Sequence, residues 1–205
     1  MTQSHMITSI EALEALYGQP SGAALAKETT HLTEEYRRWV EKAPFMAIAS
    51  CGPRGLDCSP RGDETGQLLK VIDDHTLVLP DRGGNKRLDT MRNILEDPRV
   101  SLLFLIPGIT EAMRIRGEAR ISVAPELLGL FEGANKPPVS VLVVTITSVF
   151  FQCARALMRS RLWQADAQLA PGDVPSAGEM IRGASPGFDA GAYDQALPER
   201  QKNSL

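Results

Sequence analysis

Apolar positions along this chain run first with a helical period, then with a strand period, and then fade. Thr8-Ser9-Ile10-Glu11 is a T-x-x-E capping box ahead of Leu13, Leu16 and Tyr17, which predicts a short helix stopped by Gly18. Leu32, Tyr36, Trp39 and Val40 share one face at i, i+4, i+7 and i+8, so the spacing predicts a second helix over 28–42. From residue 45 the segments become short and apolar, with turn residues between them. Strands are expected over 45–50, 56–61, 67–72 and 75–79, the first two joined by Cys51-Gly52-Pro53-Arg54-Gly55. A helix over 88–95 ends at Asp97-Pro98. The continuous apolar run 100–106 then predicts a strand buried on both faces. Residues 112–123 alternate strictly, with Met113, Ile115, Gly117, Ala119 and Ile121 against Arg114, Arg116, Glu118 and Arg120. A helical turn over 125–131 and a last strand over 139–149 follow. Residues 154–163 read as a basic amphipathic helix, and Ser176 to Glu179 cap one more short helix.

Many short strands joined by hairpins and interrupted by few helices predict a mainly β fold with flanking helices, closed or partly closed as a barrel. Strands and helices do not alternate, which disfavours a doubly wound parallel sheet. Residues 1–27 are expected to form an N-terminal helical extension, 28–165 the barrel domain, and 166–205 a tail. The tail is too polar for a core of its own, and either wraps a partner subunit or moves freely.

Composition narrows the function classes. With 205 residues, 43% hydrophobic and 23% charged, the chain is expected to be a soluble globular protein. A net charge of −3 argues against general nucleic-acid binding while leaving room for a local basic pocket. No apolar run reaches the roughly 20 residues of a membrane helix, and the N-terminus lacks a signal-peptide pattern. Cys51, Cys58 and Cys153 show no metal or disulfide spacing, so reduced thiols in a cytoplasmic protein are expected. His5, His31 and His75 are too far apart in sequence to argue for a metal site or a Ser-His-Asp triad.

Candidate chemistry collects in four patches. The first is Pro80-Asp81-Arg82-Gly83-Gly84-Asn85-Lys86-Arg87, a strand end, a glycine bend and basic residues at a helix start. Free N–H groups and the helix dipole attract phosphate there, and arginine can grip it with two hydrogen bonds. Neither G-x-G-x-x-G nor the P-loop pattern is present. A turn with solvated charges accounts for the same residues. The second is Ser59-Pro60-Arg61-Gly62-Asp63, where Arg61 either reaches the same anion or pairs with a nearby aspartate. The third is Thr110-Glu111 with Arg114 and Arg116, either ring-binding polar groups or a solvated strand face. The fourth runs from Phe150 and Phe151 through Arg155, Arg159 and Arg161 to Trp163, a site for a flat charged ligand or a core cluster with a basic face. With no nucleophile–base pair in sight, a cofactor is expected to carry any reaction.

In their order, Phe45-Met46-Ala47-Ile48-Ala49, Cys58-Ser59-Pro60-Arg61-Gly62-Asp63, Leu77 to Leu88, Asn93-Ile94-Leu95-Glu96-Asp97-Pro98-Arg99-Val100 and Met113-Arg114-Ile115-Arg116-Gly117 resemble the pyridoxamine 5′-phosphate oxidase-like, FMN-binding split-barrel family. The resemblance spans about residues 30 to 165. It implies a six-stranded antiparallel split barrel and a homodimer with FMN at the subunit interface. It also implies an FMN-dependent oxidoreductase acting on a small molecule. Arg61, Asn85, Lys86 and Arg87, with Pro80 beside them, are implied at the FMN phosphate. Gly62 and Asp63 are implied along the flavin ring, and Thr110 and Glu111 at its pyrimidine edge. Arg161 and Trp163 are implied to reach in from the other subunit. The oxidase's own Ser-Arg-Lys, R-x-V-L-L-K and Arg-x-His patterns are replaced or missing, so the resemblance is to a subgroup distinct from the true oxidase. Alternatives left open are a flavin-binding or sensing protein without turnover, and a split barrel using F420 or haem.

Overall fold

Two long strands, β6 (Ala112–Ser122) and β7 (Ser140–Gln152), form the middle of an antiparallel sheet. The computed structural model describes residues 5–84, 86–134 and 136–202. The other strands are β1 (Phe45–Gly52), β2 (Gly55–Gly62), β3 (Lys70–Val71), β4 (Thr76–Asp81) and β5 (Arg99–Leu105). They stand in the order β2-β1-β5-β6-β7-β4-β3, and every neighbouring pair is antiparallel. The fold is therefore mainly β with flanking helices, as the apolar pattern predicts. The sheet has seven strands, not six, because the two-residue β3 adds an edge, and it does not close.

The sheet curls around one apolar face. Met46, Ile48, Leu77, Leu79, Leu102, Phe104, Ile115 and Val144 meet there, all almost fully buried. Each such side chain removed from water contributes about 1.5–3 kcal/mol. The curl has a local cause. Arg116 faces Ser148 and Gly117 faces Ile146, which leaves Thr147 as an extra residue on β7. A bulge of this kind bends a strand and raises its twist. It also lets Ile146 and Val149, three apart, both point inward. Gly117 takes the inside of the bend, where a Cβ would lie 2.3 Å from the Thr145 carbonyl oxygen.

Helices close the open faces. α1 (Ile10–Tyr17), α2 (Gly22–Ala26) and α3 (Glu34–Val40) precede the sheet. α4 (Asp89–Glu96) packs on the β1–β2 hairpin. There Gly52 lies so close to the helix that a Cβ on it would meet Asn93 Oδ1 at 2.4 Å. α5 (Pro125–Leu128) and the 3₁₀ turn Gly129–Phe131 cover the outer side of β4 and β7, where Phe131 packs on Val78 and Val141. α6 (Arg155–Ser160) follows β7. α7 (Ala177–Ala184), α8 (Ala190–Gln195) and α9 (Leu197–Lys202) form a small cluster around Gly178 and Ala190. Asp194 ties it together by accepting from Ser176 Oγ and the Gly178 N–H. Among the described residues no helix is long and apolar enough to cross a membrane.

Several expectations are corrected. The first helix is capped by Ser9, one residue later than the T-x-x-E reading. The helix expected over 28–42 starts only after Thr33, whose hydroxyl accepts from the Tyr36 N–H. Thr29 instead exchanges two backbone hydrogen bonds with Val149, at 2.9 and 2.7 Å, beyond the start of β4. That bond competes with helix formation and wins because it caps an unpaired stretch of β7. Residues 67–69 turn into the core as Leu68 and Leu69 without strand pairing. β5 is buried on one face only: Val100, Leu102 and Phe104 point in, whereas Leu103 is 38% exposed.

Replacing Gly117 with alanine is expected to destabilise the protein by about 2–4 kcal/mol, read as a lower urea midpoint, because the new Cβ meets backbone. A second expectation concerns acid. Arg99 donates to Asp97 through its side chain and backbone, and this lowers the Asp97 pKa from 3.8 to about 2. A depressed folded pKa gives stability that is present above the unfolded value and lost as pH falls through the folded one. The contribution of this clip should therefore be intact above about pH 5 and gone below about pH 2. D97N should lack that part of the acid dependence in a pH series of denaturant melts.

Candidate functional site

β2 carries its polar side inward. Asp57, Ser59 and Arg61 are half-buried, while Leu56 is 86% exposed and Cys58 and Pro60 face solvent. An edge strand normally hides its apolar alternation. The inversion has a reason: the inner side of β2 faces a polar groove of about 1000 Å³ and the start of α4. β3 pairs only as far as Val78, so the far edge of β4 is open at Pro80 and Asp81, and both line the same groove. The remaining wall comes from Arg82, Gly83, Gly84 and Lys86 to Leu88, the first turn of α4, and Gly133, Ala134 and Lys136.

Three polar ties hold α4 on the hairpin. Thr90 Oγ1 donates to Asp57 Oδ2 at 3.0 Å, and Ser59 Oγ donates to the same oxygen at 2.9 Å. Asn93 Nδ2 donates to Ser50 Oγ at 3.1 Å in the buried layer beneath. Arg54, at the hairpin turn, reaches Asp89 at 2.9 Å. Arg87 reaches the same carboxylate at 2.9 Å, and hydrogen bonds from Arg87 and then Arg54 hold the Asp89 carboxyl below its usual range.

The start of α4 is open. Leu88 occupies the N-cap position in the left-handed region (φ 58°) and offers no capping side chain. Lys86 is also left-handed, at φ 62°. Unpaired N–H groups of the first turn thus remain available beside Lys86 and Arg87, the setting in which helix starts take anions. Left-handed non-glycine residues are costly and gather at functional loops.

Two ion pairs latch the ends of the curled sheet across the groove. Arg61 at the end of β2 lies 3.9 Å from Asp81 at the end of β4. Asp63 accepts a short contact from Arg82, whose Nε also donates to the Lys136 carbonyl at 2.7 Å. Among the described residues the Arg82 Nη2 and the Gln67 Oε1 are buried without a hydrogen-bond partner, and both residues line the groove. Buried polar atoms left unpaired are rare and costly, so these two mark a place where a polar ligand fits.

The structure brings Arg61, Gly62, Asp63, Pro80, Lys86 and Arg87 together in this groove. Asn85 lies outside the described residues. Thr110, Glu111, Arg161 and Trp163 do not line the groove. Trp163 Nε1 donates to the Ile109 carbonyl at 2.8 Å, so Trp163 and the Thr110-Glu111 turn are neighbours in a second cluster. Arg161, left-handed at the end of α6, pairs with Asp166. His75 lies exposed at the β3–β4 turn, stacked on His31 and bonded to Asp74, away from the groove lining. The sequence places Arg82 and Ser59 within its first two patches without a role for either, and it does not point to Gln67 or to the Asp57-Ser59-Thr90 network. The inverted alternation of β2 was the available signal for the network.

Arg82→Ala removes the partner of the half-buried Asp63 and of the Lys136 carbonyl. A loss of about 2 kcal/mol in urea unfolding is expected, larger than for an exposed arginine such as Arg159.

Comparison with known proteins adds the family. A HupZ variant from Group A Streptococcus is 17% identical, with a TM-score of 0.49 over 58% of this chain and 98% of its own. A Lactobacillus delbrueckii protein provisionally named a pyridoxamine 5′-phosphate oxidase is 22% identical, with a TM-score of 0.47 over 60% and 95%. General Stress Protein 26 from Bacillus anthracis is 13% identical, with a TM-score of 0.43 over 58% and 91%. At these scores the likenesses carry no functional weight. No curated protein matches the chain. The family model described as pyridoxamine 5′-phosphate oxidase, however, matches residues 32–153, which contain the whole sheet and every residue of the groove. The chain belongs to the pyridoxamine 5′-phosphate oxidase-like family.

Proposed function

We propose that the protein is a dimeric FMN-dependent oxidoreductase of this family, acting on a small organic molecule. One observation carries the reading. An uncapped helix start, Lys86, Arg87, Arg61 and an unpartnered Arg82 N–H meet in one groove of about 1000 Å³, a size suited to a cofactor. These donors fit a phosphate monoester. Bound FMN supplies hydride or electron transfer, and the chain's residues supply binding and orientation. Arg61, Arg87 and Lys86 hold the phosphate, with the α4 N–H groups behind them. The main chain of Gly62 and Asp63 covers part of the ring. Asp81 and Asp63 keep Arg61 and Arg82 aimed across the groove when no phosphate is there. Thr110 and Glu111 serve the pyrimidine edge, and Arg161 and Trp163 close the site from the second subunit. Within one chain these four residues lie off the groove.

The test is the visible spectrum of protein purified without added cofactor, and of the supernatant after heat release. A flavin spectrum in both, with the released compound identified as FMN, is the expected result. Arg61→Ala and Arg87→Ala should each weaken FMN binding about tenfold or more in a fluorescence titration. Unchanged affinity in both would remove the assignment of the groove. A colourless protein that also rejects added FMN would overturn the flavin reading and make F420 the next ligand to titrate. Reduction of bound flavin by NAD(P)H followed by reoxidation with an acceptor separates an oxidoreductase from a flavin-binding sensor.

A further inference from the structure

Helix α1 is short, amphipathic and uncovered. Ile10, Leu13, Leu16 and Tyr17 are 70, 45, 65 and 78% exposed, and no residue of the helix is buried. An isolated helix of eight residues is marginal in water, even with the Ser9 cap, and gains most of its stability from packing. Its charge is one-sided. Glu11 and Glu14 are its only charged residues. The Glu11 backbone N–H and then Ser9 hold the Glu11 carboxyl below its usual range, so it is ionised at neutral pH.

The outer face of β6 and β7 shows the opposite imbalance. Arg114, Arg116 and Lys27 all lie over the ring of Phe150, at 5.1, 5.6 and 5.7 Å, and Lys27 is 4.9 Å from the ring of Phe151. Among the described residues none of these three cations makes an ion pair. Three like charges around one aromatic ring repel one another unless an anion joins them. On the same face Leu103, the register partner of Arg114, is 38% exposed. The N-terminal arm leaves the barrel here. Thr29 is pinned to Val149, and the Lys27 carbonyl accepts from the Tyr36 hydroxyl at 2.6 Å.

We infer that α1 of one subunit docks on the Lys27–Arg114–Arg116–Phe150 face of a second copy of this chain, so that the two subunits exchange N-terminal arms. Charge complementarity selects the occupant: Glu11 and Glu14 neutralise the cation cluster, and the apolar stripe of α1 covers Leu103. A two-fold dimer repeats the contact on both sides. The inference rests on the dimer in the functional reading above, but not on its flavin.

Sedimentation equilibrium of the full chain tests it at low and high salt. E11K/E14K and R114E/R116E should each weaken dimerisation about tenfold, and the combination of all four substitutions should restore it to within about threefold of the original. The original dimer should weaken with salt. The arm exchange is overturned if the fourfold variant dimerises no better than the weaker parent, or if deleting residues 1–21 leaves the dimer constant unchanged. In the latter case the dimer survives and only the arm contact fails. A chain that stays monomeric throughout would overturn both the arm exchange and the dimer. Circular dichroism of each variant shows whether the barrel still folds.

Discussion

The bend between β6 and β7 at Gly117 and Thr147 is the constraint on which the rest of the molecule depends. A flat sheet of seven strands would keep β2 and β4 far apart. The extra residue turns the sheet, and the missing side chain at Gly117 lets β6 come within reach of the Thr145 carbonyl. Once the sheet curls, its inner face can bury Phe104, Ile115, Leu102 and Leu77 together. The ends of β2 and β4, separated by four strands along the sheet, then stand opposite each other and are latched by Arg61–Asp81 and Asp63–Arg82. The groove is the space left inside that latch.

Helix α4 converts the groove from a seam into a binding place. Its N-terminal half must sit against β2, and it does so through side chains on consecutive turns: Asp89 to Arg54, Thr90 to Asp57, Asn93 to Ser50. The close approach at Gly52 permits this. Leu88 provides no side-chain cap for the first-turn N–H groups, and Asp89, Thr90 and Met91 of that turn line the groove. Local conformation at Leu88 therefore connects directly to the anion chemistry of the site.

The charges of the groove are nearly balanced, and the pattern of pairing matters more than their sum. Arg61, Arg54, Arg87 and Arg82 each have a carboxylate, and among the described residues Arg82 Nη2 and Gln67 Oε1 stay buried without a hydrogen-bond partner. In the proposed function, a phosphate entering here would exchange one set of charge-assisted hydrogen bonds for another and would satisfy a donor left unmet among the described residues. Aspartates that hold arginines in place preorganise the site at a cost in competition with the ligand.

Local sequence determined the elements whose cause is local. The strict alternation of 112–123, the apolar runs around 45–50 and 139–149, the Asp97-Pro98 stop and the Ser176 capping box each depend on residues a few positions apart, and these elements stand where the pattern puts them. The motif order around Ser59-Pro60-Arg61, Lys86-Arg87 and Glu96-Asp97-Pro98 was also enough to point to the family. Only the tertiary structure decided features that join distant segments. Thr29 left the helical pattern because Val149 offered a bridge 120 residues away, and β5 buries Val100, Leu102 and Phe104 while Leu103 stays 38% exposed. Arg82 became part of the site because Asp63 and the Lys136 carbonyl converge on it from two distant segments. Periodicity records which face of a segment is apolar, but the partner that covers that face is set by how the whole sheet bends.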